Sequence, residues 1–86
     1  MDNERRMELL FKKFYRRLYL YALTFLNDED ESKDVVSGVF QKVWESWNSG
    51  ETSNIEPTSS FFYTTVRNRC LDLLRHSKAS ERYEEM

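Results

Sequence analysis

The chain has 86 residues, of which 40% are apolar and 33% charged, and its formal net charge is −2. This length suits one small domain, and the single cysteine excludes an internal disulfide. The chain also lacks both the apolar run of a signal peptide and a span of about 20 apolar residues, so a soluble, cytoplasmic protein is expected.

The first predicted element is a helix from about Glu4 to Leu26. Its apolar residues recur at steps of three and four, the period of an amphipathic helix. The core-facing stripe is predicted to contain Leu10, Phe14, Leu18, Tyr21 and Phe25, flanked by Phe11, Tyr15, Ala22 and Leu26. The opposite side is basic and carries Lys12, Lys13, Arg16 and Arg17.

A second helix is predicted from Asp28 to about Asn48. The Asp28 carboxylate can cap its first turn, and the acidic residues that follow suit the positive end of the helix dipole. The inward stripe is Val36, Phe40, Val43 and Trp47, flanked by Val35, Val39 and Trp44. The polar face carries Asp34, Ser37, Gln41 and Glu45.

A polar loop from Asn48 to Ser60 precedes a third helix, which is predicted to begin near Pro57 to Ser60 and to end near Lys78. The third helix turns Phe62, Val66, Cys70 and Leu73 inward. Another face carries Asn68, Asp72 and Arg75 at i, i+4 and i+7, with Thr64 and Thr65 one turn earlier.

These elements predict an all-α fold. Only two glycines and one proline interrupt the chain, and no stretch alternates in the manner of a strand. The expected architecture is a compact three-helix bundle, with a four-helix bundle as the alternative, and a polar loop before the last helix.

The sequence indicates no catalytic, metal or cofactor site. His76 has no ligand at metal-binding spacing, and Cys70 lies on the core stripe. The oxygen side chains from Asp28 to Asp34 do not begin a calcium loop, because Lys33 stands where that loop needs glycine. We therefore expect a protein that is not an enzyme.

Aromatic and basic residues are concentrated along the third helix. Such side chains can stack unpaired bases and hold phosphates. Alternatively, Phe62 belongs to the core, Tyr63 is half-buried and the arginines form an ordinary solvated face. Composition alone does not decide between nucleic-acid binding and this structural role. The residues concerned are Phe61, Phe62, Tyr63, Arg67, Arg69 and Arg75.

Two stretches together resemble a known family. They are DVVSGVFQKVW, from Asp34 to Trp44, and FFYTTVRNRCLDLLRH, from Phe61 to His76. Their pairing across a polar loop resembles the second domain of the extracytoplasmic-function sigma factors, the bacterial subunits that direct RNA polymerase to promoters. The likeness extends from about Leu10 to His76.

The resemblance implies that the second helix binds core RNA polymerase, at the clamp of the largest subunit. The matching positions are Asp34, Ser37, Gly38 and Gln41. The family often has glutamine in place of Ser37 and an acidic or polar residue in place of Gly38. Asp34 is therefore the principal expected contact.

The resemblance also implies binding of promoter DNA at the melted minus-ten element. A flipped base would enter a pocket formed by Asn48 to Ser60, while the third helix contacts the duplex edge. Asn68 can read a base edge, whereas Arg67 and Arg75 suit phosphates. The implied DNA-binding residues are Phe61, where the family often has tryptophan, and Thr64, Arg67, Asn68, Asp72 and Arg75.

Complete family members also carry a helix-turn-helix domain. This sequence reaches its last residues, ERYEEM, without a pattern of that kind. We expect residues 1–80 to form the polymerase- and DNA-binding domain and residues 81–86 to begin an interdomain linker. An anti-sigma factor is a further candidate partner, and no membrane partner is expected. The alternative is a small helical interaction module or anti-sigma-like regulator that does not bind DNA.

Overall fold

The computed structural model describes residues 2–49 and 57–84, with side chains at 2–49 and 57–76. It contains three helices, α1 (Asn3–Leu26), α2 (Glu29–Asn48) and α3 (Ser59–Glu84), and no strand within those ranges. Each helix packs against the other two. The predicted all-α fold is confirmed, in its three-helix form.

Side-chain and backbone caps set the boundary between α1 and α2. Asn27 ends α1 with a left-handed φ of 51°, and its N–H donates to the carbonyl oxygen of Leu23 at 2.9 Å. Asparagine tolerates that conformation better than most residues. The predicted cap of α2 is confirmed, because Oδ1 of Asp28 accepts a hydrogen bond from the N–H of Glu31 at 2.9 Å.

The α3 helix begins close to the predicted position and extends further than predicted. Oγ1 of Thr58 accepts a hydrogen bond from the N–H of Phe61 at 3.1 Å, which makes Thr58 the capping residue. The helix continues to Glu84, beyond the predicted end near Lys78. No glycine or proline follows Pro57, so the sequence contains no strong signal that would end the helix earlier.

The predicted apolar stripes meet in one core. Phe62 lies at its centre, with its ring centroid 5.0 Å from both Phe14 and Phe40. One prediction about this core is wrong: Phe11 is 43% exposed, and its ring stacks on Tyr15 at a centroid distance of 4.4 Å. The buried apolar residues are Phe14, Leu18, Ala22, Val35, Val36, Val39, Phe40, Val43, Trp47, Phe62, Val66 and Cys70.

Cys70 is buried in the core, as its stripe predicted, and burial raises the pKa of its thiol. Because the thiolate is the reactive form, burial and the raised pKa both slow its modification. We expect the native thiol to react only through the unfolded fraction, roughly 10⁻³ of the molecules or fewer. Labelling with an aromatic disulfide reagent, with and without urea, measures this difference. Fast labelling of the native protein would contradict the assigned orientation of α3.

Candidate functional site

The outward side of α2 exposes all four predicted polymerase-binding residues. Val35, Val36, Val39 and Phe40 are buried, and the helical period therefore turns the intervening positions toward solvent. The solvent-exposed residues at those positions include Asp34, Ser37, Gly38 and Gln41.

Two of these four positions have a distinct local environment. The side-chain amide of Gln41 donates to Oε1 of Glu45 at 3.1 Å, one turn further along the helix. A Cβ added at Gly38 would meet nothing within 4 Å. The fold therefore does not require glycine here, although an interior helical glycine costs about 0.5–1 kcal/mol relative to alanine.

The outward side of α3 exposes five of the six predicted DNA-binding residues, and the sixth, Phe61, is half-buried beside Phe62. Nη1 of Arg75 lies 3.9 Å from Oδ1 of Asp72, and both side chains are mostly exposed. Exposed pairs of this kind contribute little stability, so Arg75 remains available to another anion. The five exposed residues are Thr64, Arg67, Asn68, Asp72 and Arg75.

An open groove of about 540 Å³ between α2 and α3 brings together part of each predicted set. Asp34 and Gly38 line it from α2, and Asn68 and Asp72 line it from α3. Its other lining residues are Val35, Val39, Lys42, Thr65 and Arg69. The remaining predicted contacts lie outside the groove: Ser37, Gln41, Phe61, Thr64, Arg67 and Arg75.

Two cations in this groove lie outside the contact sets that the family resemblance implied, although Arg69 was already among the basic residues considered on the third helix. Lys42 approaches it from α2, and Arg69 from α3. Arg69 also lines a smaller neighbouring groove together with Asp34. The spacing of Lys42 from Gly38, one helical turn, is the sequence signal that could have indicated it.

The predicted base pocket, Asn48 to Ser60, lies largely outside the described residues, which omit 50–56. Its flanks are described. The Asn48 side-chain amide donates to the carbonyl oxygen of Trp44 at 2.8 Å. On the other side, Pro57 lines a shallow depression with Leu9 and Leu10 of α1.

Within the described part of the chain, no three His, Cys, Asp or Glu side chains are grouped so that they could hold a metal ion. His76 is exposed at the surface of α3. Among the described residues, no helix has the length and apolar character needed to cross a membrane.

A comparison with protein-family models matches residues 10–80 to sigma-70 region 2. The match begins within α1, contains all of α2, and extends along α3 through Ser80. It therefore includes both outward faces and the groove between them. No curated protein and no solved structure matches the chain. The extent of the family match shows that this chain belongs to the sigma-70 region 2 family, the sigma-factor domain of transcription initiation.

Proposed function

We propose that this chain is the region 2 domain of an extracytoplasmic-function sigma factor. It binds the clamp of the largest subunit of core RNA polymerase through α2, and it captures the melted minus-ten element with α3 and the preceding loop. It catalyses no reaction itself. The principal supporting observation is that nine of the ten predicted contact residues are exposed on neighbouring helices, and that two residues from each set line one groove.

The charge of α2 supports a protein partner for this helix. It carries five carboxylates and only two lysines. Such a surface repels the phosphates of DNA and attracts a basic protein surface, since complementary charge guides association. The carboxylates are Glu29, Asp30, Glu31, Asp34 and Glu45, and the lysines are Lys33 and Lys42.

The charge of α3 supports a nucleic-acid partner. Its described side chains include three exposed arginines, Arg67, Arg69 and Arg75, and one exposed carboxylate, Asp72. Asn68 lies among these cations and presents both a donor and an acceptor. Arginines can bind phosphates without regard to sequence, while an amide can select a base edge.

The groove between the two helices supports a shared role for the two surfaces. Asp34 and Asn68 line the same groove, so a polymerase element at Asp34 would adjoin DNA held at Asn68. Lys42 and Arg69 add positive charge where the acidic helix meets the basic one. We infer that they reduce the repulsion between α2 and a nearby phosphate.

Binding to a purified fragment of the polymerase clamp tests the proposed function directly. The chain should bind the fragment in a pull-down, and added salt should weaken the complex because the contact is charged. A correctly folded chain that shows no binding would favour the helical interaction module instead.

Replacing Asp34 by alanine should weaken clamp binding about tenfold, corresponding to the loss of roughly 1.4 kcal/mol. The side chain is exposed, so helicity measured by circular dichroism should not change. Isothermal titration calorimetry measures the affinity. Glu29→Ala is the matched control, because it removes an equal charge from α2 outside the predicted contact set. Equal affinities for wild type and Asp34→Ala would remove Asp34 from the interface.

A further inference from the structure

A surface of α1 faces away from the bundle and belongs to neither predicted contact set. We define it as the α1 outer face, and it consists of Leu9, Lys13, Arg16, Arg17 and Leu20, all of them exposed. Four of these residues follow one another at steps of four, three and four, which places them along one side of the helix. The opposite side of α1 carries the buried residues Phe14, Leu18 and Ala22.

The two leucines at the ends of this face are unusually exposed. Leu9 has 53% of its surface exposed, and Leu20 has 51%. A single exposed leucine is ordinary on a protein surface. Here the two leucines lie on the same side of the helix with cations between them. The α1 outer face therefore has a basic centre and an apolar side chain at each end.

The charge of the α1 outer face is not balanced within the helix. From Leu9 to Leu26 the sequence has four cations and no carboxylate. Lys12 pairs with Glu8 at 3.1 Å, but within the described residues no carboxylate forms an ion pair with Lys13, Arg16 or Arg17. Like charges one turn apart disfavour a helix by about 0.2–0.5 kcal/mol per pair, and an anionic partner would remove this repulsion.

We propose that the α1 outer face binds an acidic amphipathic helix of a partner protein. Carboxylates of that helix would lie opposite the three cations, and apolar residues at its ends would contact Leu9 and Leu20. These leucines are eleven residues apart, a distance of roughly 16 Å, so the partner segment needs about three helical turns.

The two exposed leucines favour a protein helix over nucleic acid. A phosphate backbone would use the cations and leave both leucines in water, whereas an acidic amphipathic helix uses both features. The proposal does not depend on the proposed function. The α1 outer face shares no residue with either predicted contact set, although Leu9 also lines the depression beside Pro57.

Two designed peptides of about 18 residues, or five helical turns, provide the test. The patterned peptide carries leucines eleven positions apart with glutamates on the same side between them, and the scrambled peptide has the same composition. Fluorescence anisotropy measures binding to the full chain. The patterned peptide should bind at least about tenfold more tightly than the scrambled one, a difference of roughly 1.4 kcal/mol.

Three variants separate the contributions of charge and apolar contact. Arg16→Glu should weaken binding of the patterned peptide at least about tenfold, and Leu20→Ser about threefold to tenfold. Lys33→Glu makes the same reversal of a basic residue on α2, and should change the affinity by less than about twofold. Circular dichroism checks that each variant remains folded.

Several outcomes would overturn the proposal. Equal binding of both peptides, or no binding of either, would show that the face does not select a patterned acidic helix. If Arg16→Glu abolishes binding of random-sequence duplex DNA while Leu20→Ser leaves peptide binding unchanged, the face contacts phosphate instead. Self-association that is detected by sedimentation and lost in Arg16→Glu would identify a second copy of the chain as the occupant.

Discussion

Phe62→Ala is expected to leave a large fraction of the protein unfolded at 25 °C. The Phe62 side chain has no exposed surface, and its ring contacts Phe14 of α1 and Phe40 of α2, so it joins all three helices. Truncating a buried phenylalanine costs about 3–5 kcal/mol. A domain of this size has a free energy of unfolding near the low end of about 5–15 kcal/mol, so little stability would remain.

Urea denaturation followed by circular dichroism measures this loss. Phe61→Ala is the matched control, because Phe61 is adjacent in sequence and only half-buried. It should cost about 1 kcal/mol, the typical effect of a substitution outside the core. A loss below about 1 kcal/mol for Phe62→Ala would contradict the packing described for the centre of the core.

The helices and most of the core could be predicted because the apolar period is long and rarely interrupted. The Asp28 cap was predictable as well, since an acidic capping residue precedes a run of acids and then an apolar stripe. The exposure of Phe11 could not be predicted from this pattern. Its position borders the stripe, so its ring contacts Phe40 of α2 at a centroid distance of 5.2 Å and still keeps 43% of its surface exposed.

The candidate site was predictable in one respect and not in another. Residues between buried positions on α2 and α3 must face solvent, so their exposure follows from the helical period. The groove depends on how the two helices are rotated against each other, which a single-helix pattern does not specify. Lys42 therefore became a site residue only when the packing of α2 against α3 was known, and the same packing placed Arg69, already a candidate from the sequence, in the groove.

Asn68→Ala and Arg75→Ala are expected to affect DNA binding in two different ways. Asn68 is exposed on α3 and lines the groove, where its amide can pair with a base edge. Losing such a pair should reduce discrimination at one promoter position by about 1–3 kcal/mol. Arg75 is a mostly exposed cation. Its loss should weaken binding to all sequences and make the slope of log affinity against log salt concentration shallower by about one.

The measurement requires polymerase, because the acidic α2 and the few arginines of α3 should give the isolated chain only weak affinity for single strands. Non-template oligonucleotides with single changes in the minus-ten element compete for the complex of the chain with core polymerase. Lys33→Ala is the control, an exposed cation on α2 outside both contact sets.

The pattern of losses identifies which part of the domain carries sequence specificity. If Asn68→Ala and Arg75→Ala weaken every oligonucleotide equally, α3 only positions the DNA, and discrimination must come from the loop between Asn48 and Ser60. If neither substitution changes binding, α3 is a solvated face and the helical interaction module becomes the better interpretation. A loss confined to one base position in Asn68→Ala, together with a uniform, salt-dependent loss in Arg75→Ala, is the result that the proposed division of roles requires.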